Sequence, residues 1–163
     1  MTFVKAGRRA RVFTFGQQAD QWRERAMPTK ILCATDGTGH GSAAVAEAAR
    51  MAAKYGAELT LCTVNVMRGG GRGAIMNDME DSEVTRILDE AVALAKGNGA
   101  AKATAAAILS REAAAGIVAY ADEKGYDHIV VGTGDKRGIS RLVLGSVAAD
   151  VAARAHCPVT VVR

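Results

Sequence analysis

Two adjacent residues near the carboxyl end of the chain, Gly145 and Ser146, are of a type that can hold an anion. They precede VAADVAARA, a segment with the composition of a helix. The first turn of a helix leaves backbone N–H groups without intrahelical partners, and the helix dipole favours negative charge there. A phosphate is therefore a candidate ligand of this segment. The alternative is that Ser146 only caps its own helix.

Two further residues with binding chemistry follow apolar, strand-like runs. Asp36 follows KILCAT (30–35) and precedes the flexible GTGHG. Its carboxylate can accept hydrogen bonds from a ribose hydroxyl or a base amine, or it can form a helix cap or an Asx-turn. Gly132 lies near the end of HIVVGT (128–133), where the missing Cβ lets a ligand or another backbone approach closely. Hydrogen bonding to a phosphate, a sugar or a base is the chemistry that these residues support.

Residue patterns for nucleophilic or metal chemistry do not stand out. The three histidines are isolated along the chain, and only His40 lies near Asp36, where it is a candidate ligand contact. The three cysteines form neither a CxxC pair nor a metal-ligand spacing, which is typical of free thiols in a reducing cytoplasm. The carboxylates between residues 78 and 83 stand at a predicted helix start, where the dipole favours them, and indicate a solvated face.

The elements that must position these residues alternate between strand and helix. Strands are predicted at 30–35, 58–66, 100–109, 128–133 and 159–163, and helices at about 42–55, 78–96, 111–125 and 145–155. Alanine favours a helix in 100–109, but a position between two helices favours a strand there. RGGGRGA (68–74) is predicted to be a flexible loop.

This alternation predicts a doubly wound, Rossmann-like α/β fold, with a five-stranded parallel sheet sandwiched by four helices. In this class, ligands bind at the carboxyl ends of the strands, where the strand order reverses. The loops after the first and fourth predicted strands, which carry Asp36 and Gly132, are expected to meet at that edge.

The positive charge of the chain is concentrated at its start. The first thirty residues carry a net charge of +5 and the whole chain +4, so residues 31–163 come to −1. This balance gives the fold no reason to bind nucleic acid. No apolar run approaches the roughly 18 residues of a membrane span, so no membrane partner is expected.

Residues 1–28 are predicted to be a flexible, basic N-terminal extension, and residues 29–163 the folded domain. An over-long gene start, with Met27 as the initiator, fits the same pattern. An organelle transit segment is a further alternative, because the first nineteen residues contain arginine and no acid. The last alternative for these residues is a basic arm that contacts RNA or anionic lipid.

Two stretches of the sequence resemble the universal stress protein family. ILCATDGTGHGSAAVAEAARMAA is similar to its opening, an apolar strand that ends in Asp-Gly before a helix. GTGDKRGISRLVLGSVAADVAARAHCPVTVVR is similar to its closing signature, Gly-x2-Gly-x9-Gly-(Ser/Thr), a helix and a Cys-Pro-Val strand. The resemblance covers the chain from about residue 29. It implies a cytoplasmic, usually dimeric stress-response protein that binds ATP or a related adenine nucleotide, with or without Mg²⁺.

The resemblance also implies a nucleotide site made of strand ends and one helix start. Carried over by position, its members are Ala34, Thr35 and Asp36 at the adenine and ribose, Val64 against the adenine, Val131 and Gly132 at the border, Asp135 in the loop, and Gly145, Ser146 and Val147 at the phosphates. The strand at 159–162 would pair with a second copy and so cover an apolar edge. Any ATP hydrolysis would be slow, since neither a base nor an arginine finger is identified. The alternative function is a structural or interaction dimer that binds no nucleotide.

The chain departs from the family signature at Asp135, which stands where the second glycine is expected. Gly134 lies one place early. Two unit charges 4 Å apart repel by ~1 kcal/mol in water and ~4 kcal/mol at an effective dielectric of 20. Phosphate binding would therefore weaken by about one to three orders of magnitude. Basic residues within 136–141 would offset part of this repulsion, as would a side chain that points to solvent or shares a divalent cation with the phosphate.

Replacing this aspartate tests its cost directly. We expect Asp135→Gly to tighten ATP binding by about tenfold or more, because it removes both the negative charge and the Cβ. Titration calorimetry of the purified variant measures the change. Asp135→Asn removes the charge alone and separates the two contributions. An unchanged affinity for Asp135→Gly would contradict this interpretation of the loop.

Overall fold

The computed structural model describes residues 27–70, 74–134 and 145–163. Asp135, the basic residues that follow it and nearly all of the predicted N-terminal extension lie outside these ranges. The predictions that concern them therefore remain predictions.

The described residues form six strands and four helices. The strands are β1 (Lys30–Ala34), β2 (Glu58–Gly69), β3 (Ile75–Asn77), β4 (Thr104–Ser110), β5 (His128–Gly132) and β6 (Val159–Val162). The helices are α1 (Gly39–Tyr55), α2 (Asp81–Gly97), α3 (Ala113–Lys124) and α4 (Ser146–Arg154). None of these helices is long and apolar enough to cross a membrane.

Five of the strands are parallel, in the order β4-β2-β1-β5-β6. The doubly wound α/β fold predicted from the sequence is thus confirmed. Of the strand predicted at 100–109, residues 104–109 belong to β4, which begins four residues later than predicted. It forms despite its alanines, because pairing with β2 outweighs local propensity. At one end of that pairing the Oγ1 atoms of Thr60 and Thr104 lie 2.9 Å apart.

The prediction of five strands was short by one. β2 continues past residue 66 to Gly69, and the chain returns as β3, which pairs antiparallel with its end. The predicted loop at 68–74 therefore belongs partly to a hairpin. Its glycines enable the reversal, since Gly69 and Gly70 adopt φ values of 84° and 110°, which other residues rarely reach. Helix α2 correspondingly begins at Asp81, three residues later than predicted.

Alternating side chains divide the strands between two apolar cores. Ile31 and Cys33 of β1 point to one face and Leu32 to the other, as the two-residue period of a strand requires. Helices α1 and α2 cover the first core, while α3 and α4 cover the second. The two central strands, β1 and β5, are buried on both faces, which is why their sequences are continuous apolar runs.

A carboxylate between α3 and β5 fastens the start of β1. Asp127 accepts hydrogen bonds from the backbone N–H of Thr29, 2.9 Å from Oδ2, and of Lys30, 3.0 Å from Oδ1. Burial alone would raise the pKa of Asp127, but the hydrogen bonds from Thr29 and Lys30 outweigh it and the pKa is lowered. The charged form is therefore the one that stabilises the fold.

Asp127→Asn tests this contact through its pH dependence. The folded-state pKa lies below the unfolded value of about 3.9, so the stabilisation is complete well above that pH and is lost as the pH falls through the folded pKa. We expect the variant to lose about 1–2 kcal/mol of unfolding free energy at pH 7, and the deficit to shrink below about pH 4. Urea unfolding at several pH values measures it.

Asp89→Asn, on the exposed side of α2, is the matched control and should change little. A deficit for Asp127→Asn that stays constant down to pH 3 would contradict a role for the charge.

Candidate functional site

A cavity of about 310 Å³ lies at the carboxyl ends of β1 and β5 and beside Thr63 and Val64, in the middle of β2. In sequence order, β2 and β4 are added to the sheet on one side of β1, and the chain then returns to add β5 on the other side of β1. Ala34 and Val131 are paired where β1 and β5 end, so the order of strands reverses at the cavity. This is the place where doubly wound folds bind their ligands.

Nine of the ten residues predicted for the site line this one cavity. They are Ala34, Thr35, Asp36, Val64, Val131, Gly132, Gly145, Ser146 and Val147. The tenth, Asp135, lies outside the described residues. The structure therefore brings together segments that are more than a hundred residues apart in the chain.

Nine further lining residues were not predicted. They are Thr38, Gly41, Thr63, Met79, Ala113, Ile117, Thr133, Gly134 and Ala148. Thr63, Thr133, Gly134 and Ala148 are sequence neighbours of predicted residues, so adjacency alone could have found them. Met79 precedes α2, while Ala113 and Ile117 belong to α3. No local pattern shows that these elements reach the site.

The Asp36 carboxylate is held by a short turn. Its Oδ1 accepts hydrogen bonds from the backbone N–H of Thr38 at 3.0 Å and from the Thr38 hydroxyl at 2.7 Å. Thr38 is the N-cap of α1, and its Oγ1 accepts from the backbone N–H of Gly41 at 3.3 Å. Asp36 thus forms the Asx-turn and leaves the helix cap to Thr38. A carboxylate has about four acceptor positions, so Asp36 keeps further acceptor capacity at an exposed position.

The start of α4 does not show the role that was the alternative for Ser146, which was to cap its own helix. Gly145 is the N-cap and has no side chain to bond the helix, while Ser146 is the first helical residue. The first intrahelical hydrogen bond runs from the N–H of Ala149 to the carbonyl of Gly145, at 2.9 Å. The N–H groups of the preceding turn, at Ser146 and Val147, have no such partner within the helix. An exposed hydroxyl and a helix N-terminus thus meet at the cavity.

Two glycines let backbone segments touch around the cavity. A Cβ at Gly132 would lie 2.6 Å from the carbonyl oxygen of His40, and one at Gly145 would lie 2.0 Å from that of Thr133. Of the two alternatives for Gly132, the structure therefore favours approach of another backbone. His40, the histidine predicted as a candidate contact, packs here against β5, with its Nδ1 3.4 Å from Thr133 Oγ1.

The part of the cavity wall that the structure describes is almost uncharged. Among the lining residues that the structure describes, Asp36 is the only ionisable side chain, and hydroxyls come from four threonines and Ser146. The described residues hold no group of three or more His, Cys, Asp or Glu that could bind a metal. Burial raises the pKa of the Cys62 thiol to about 12, and burial together with Cys62 raises the pKa of Cys33 well above its usual value. Neither thiol is suited to act as a nucleophile.

Comparison with known proteins identifies the family. A sequence model described as "Universal stress protein family" matches residues 27–163, most of the chain. The chain belongs to the universal stress protein family. The resemblance seen in the opening and closing stretches is thereby confirmed.

Relatives of this universal stress protein agree in sequence and structure. A universal stress protein of Methanocaldococcus jannaschii is 32% identical over 140 residues, which cover 82% of this chain and 81% of the relative. A solved universal stress protein in complex with cAMP is 27% identical, with a TM-score of 0.67 over 84% of this chain and 98% of its own. The universal stress protein from Archaeoglobus fulgidus in complex with dAMP is 25% identical, with a TM-score of 0.65 over 84% and 99%.

Gly132→Ala tests the backbone contact beside the cavity. Since the added methyl would lie 2.6 Å from a carbonyl oxygen, either β5 or the first turn of α1 must shift. We expect a loss of about 1–3 kcal/mol in unfolding free energy, measured by urea denaturation. Gly97→Ala is the control, because nothing lies within 4 Å of its added Cβ. Equal stabilities for the two variants would show that the contact is looser than described.

Proposed function

We propose that this universal stress protein binds an adenine nucleotide, with ATP as the first candidate, and acts in the stress response through the occupancy of its site. The observation that carries the proposal is the convergence of Asp36, Val64, Val131 and the start of α4 on one cavity. Each offers a different part of what a nucleotide requires.

The apolar part of the cavity suits a base. Val64 from β2, Val131 from β5 and Ile117 from α3 line it, and each presents aliphatic surface to a flat ring. Its volume of about 310 Å³ is at the lower end of the range of about 300–1,000 Å³ for ligand pockets. In this proposal the base and ribose fill the cavity, and the phosphates extend along its mouth.

The polar part of the cavity suits a ribose phosphate. Asp36, oriented by its hydrogen bonds from Thr38, would accept hydrogen bonds from the ribose hydroxyls. The N–H groups at the start of α4 and the Ser146 hydroxyl would donate to phosphate oxygens, helped by the helix dipole. Since the described wall has no metal-binding cluster, Mg²⁺ would come with the nucleotide's own phosphates.

The relatives support adenine as the base. One solved neighbour holds cAMP and another holds dAMP. These two ligands share the adenine and a single phosphate. The number of phosphates that this chain prefers is therefore a question for measurement.

We also propose that the protein is a homodimer joined through β6. Within the described residues β6 pairs only with β5, and its four residues, 159–162, are partly exposed. An apolar edge strand of this kind needs cover, which the same strand of a second copy would provide. Three free cysteines, two of them buried, suit the reducing conditions of the cytoplasm.

Titration calorimetry with ATP, ADP and AMP, each with and without Mg²⁺, tests the nucleotide proposal. We expect micromolar affinity for at least one of them. Asp36→Asn keeps the Oδ1 acceptor for Thr38 but replaces Oδ2 with a donor, and should weaken binding by about tenfold. Asp89→Asn on α2 is the control and should bind like the parent protein.

Failure of all three nucleotides to bind at millimolar concentration would contradict the proposal. It would favour the alternative of a structural or interaction dimer without a nucleotide.

A further inference from the structure

A buried side-chain amide on β2 holds the segment that leads into α2. Asn65 is 2% exposed. Its Nδ2 donates to the carbonyl oxygen of Met79 at 2.8 Å, and its Oδ1 accepts from the N–H of Met79 at 3.0 Å. The amide therefore bonds both backbone groups of one residue, as a neighbouring strand would.

Met79 is the residue of this segment that lines the cavity. It lies between β3 and α2 and is partly buried. Thr63 and Val64 of β2 line the same cavity. Nearby, the N–H of Asp78 donates to the carbonyl of Val66 at 2.9 Å, and Arg68 forms an ion pair with Asp78. That ion pair is exposed and therefore contributes little, so the buried amide of Asn65 is the firmer attachment.

Asn65 is one of a few buried polar side chains, and these lie at or next to the cavity. The buried polar side chains of the described residues are Thr35, Thr63, Asn65 and Thr133. The three threonines line the cavity themselves, whereas Asn65 reaches it through Met79. A buried polar group costs free energy unless it is fully bonded, and an apolar residue would fill a strand interior more simply. The position thus favours a role in placing Met79.

We propose that Asn65 is a positioning residue for the nucleotide base, because it fixes Met79 in the cavity wall against which the base packs. The inference rests on the proposed function. A thioether is polarisable and packs well at the edge or face of an aromatic ring, which suits a purine. Asn65 then affects the base and not the phosphates, so ATP and AMP depend on it equally.

A second route from Asn65 to the site must be separated from the first. A Cβ at Gly37 would lie 3.0 Å from Ile87 of α2, so this helix also packs against the turn that carries Asp36. By fixing the start of α2, Asn65 could act through Ile87 and the turn. A double-mutant cycle with Met79 distinguishes the two routes, since residues that act through each other give non-additive effects.

The experiment compares Asn65→Leu, Met79→Ala, the double variant and the unmodified chain. Asn65→Leu removes both hydrogen-bonding atoms without adding charge. We expect each single change to weaken binding of both ATP and AMP by about five- to tenfold, and the double variant to be no weaker than either. NMR hydrogen exchange in Asn65→Leu should show loss of protection at the Met79 amide.

Asn98→Leu is the matched control. Its Nδ2 donates to the carbonyl of Leu94 at 2.8 Å, a bond of the same kind at the other end of α2. We expect its affinities for ATP and AMP to equal those of the unmodified chain. Equal weakening by this control would overturn the proposal, because any loss of an amide bond on α2 would then suffice.

Other outcomes also decide the matter. Unchanged affinity in Met79→Ala, which leaves the backbone hydrogen bonds intact, would overturn the inference even if Asn65→Leu failed to fold. Additive losses in the double variant would assign Asn65 to the Ile87 route. Nucleotide binding by the unmodified chain with no effect of either change would overturn the inference alone. Absence of binding by the unmodified chain would overturn the proposed function and the inference with it.

Discussion

The site depends on one topological constraint: β1 and β5 lie side by side, while the helices that follow them in sequence pack on opposite faces of the sheet. Helix α1 follows β1 onto one core, and α4 packs on the other. Two helices that diverge from neighbouring strands cannot cover the strand ends between them. A crevice therefore forms at that point, and its floor is made of main chain and short side chains.

Close backbone contact keeps this crevice narrow. The carbonyl of His40 lies where a side chain at position 132 would begin, and the carbonyl of Thr133 lies against Gly145. Larger residues at the two glycines would push α1 from β5 and α4 from the strand end. The same close packing brings the Asp36 turn and the start of α4 to one cavity of about 310 Å³. Glycine here shapes the site through packing, before any ligand is considered.

The site residues that could be predicted from the sequence are those whose type and position beside a strand or helix indicate binding. A glycine and a serine before a helix, and an aspartate after an apolar strand, were recognisable without a structure. Met79 was not, because its place depends on the unpredicted hairpin of β2 and β3 and on a side-chain amide from another segment. Ala113 and Ile117 were missed for a related reason, since alanine-rich helices give little sign of which turn meets a neighbour. The strand at β4 was predicted from its position between helices, against the preference of its alanines.

The described part of the cavity wall offers a bound nucleotide mostly neutral hydrogen-bonding groups. Asp36 is the only ionisable side chain among the described lining residues, and the two fully buried cysteines have raised pKa values. In the proposed complex, the backbone N–H groups at the start of α4 and the neighbouring hydroxyls would donate hydrogen bonds to a phosphate. Under the proposed function, these neutral groups would make the occupancy of the site, and not a change in its charge, the signal that the protein carries.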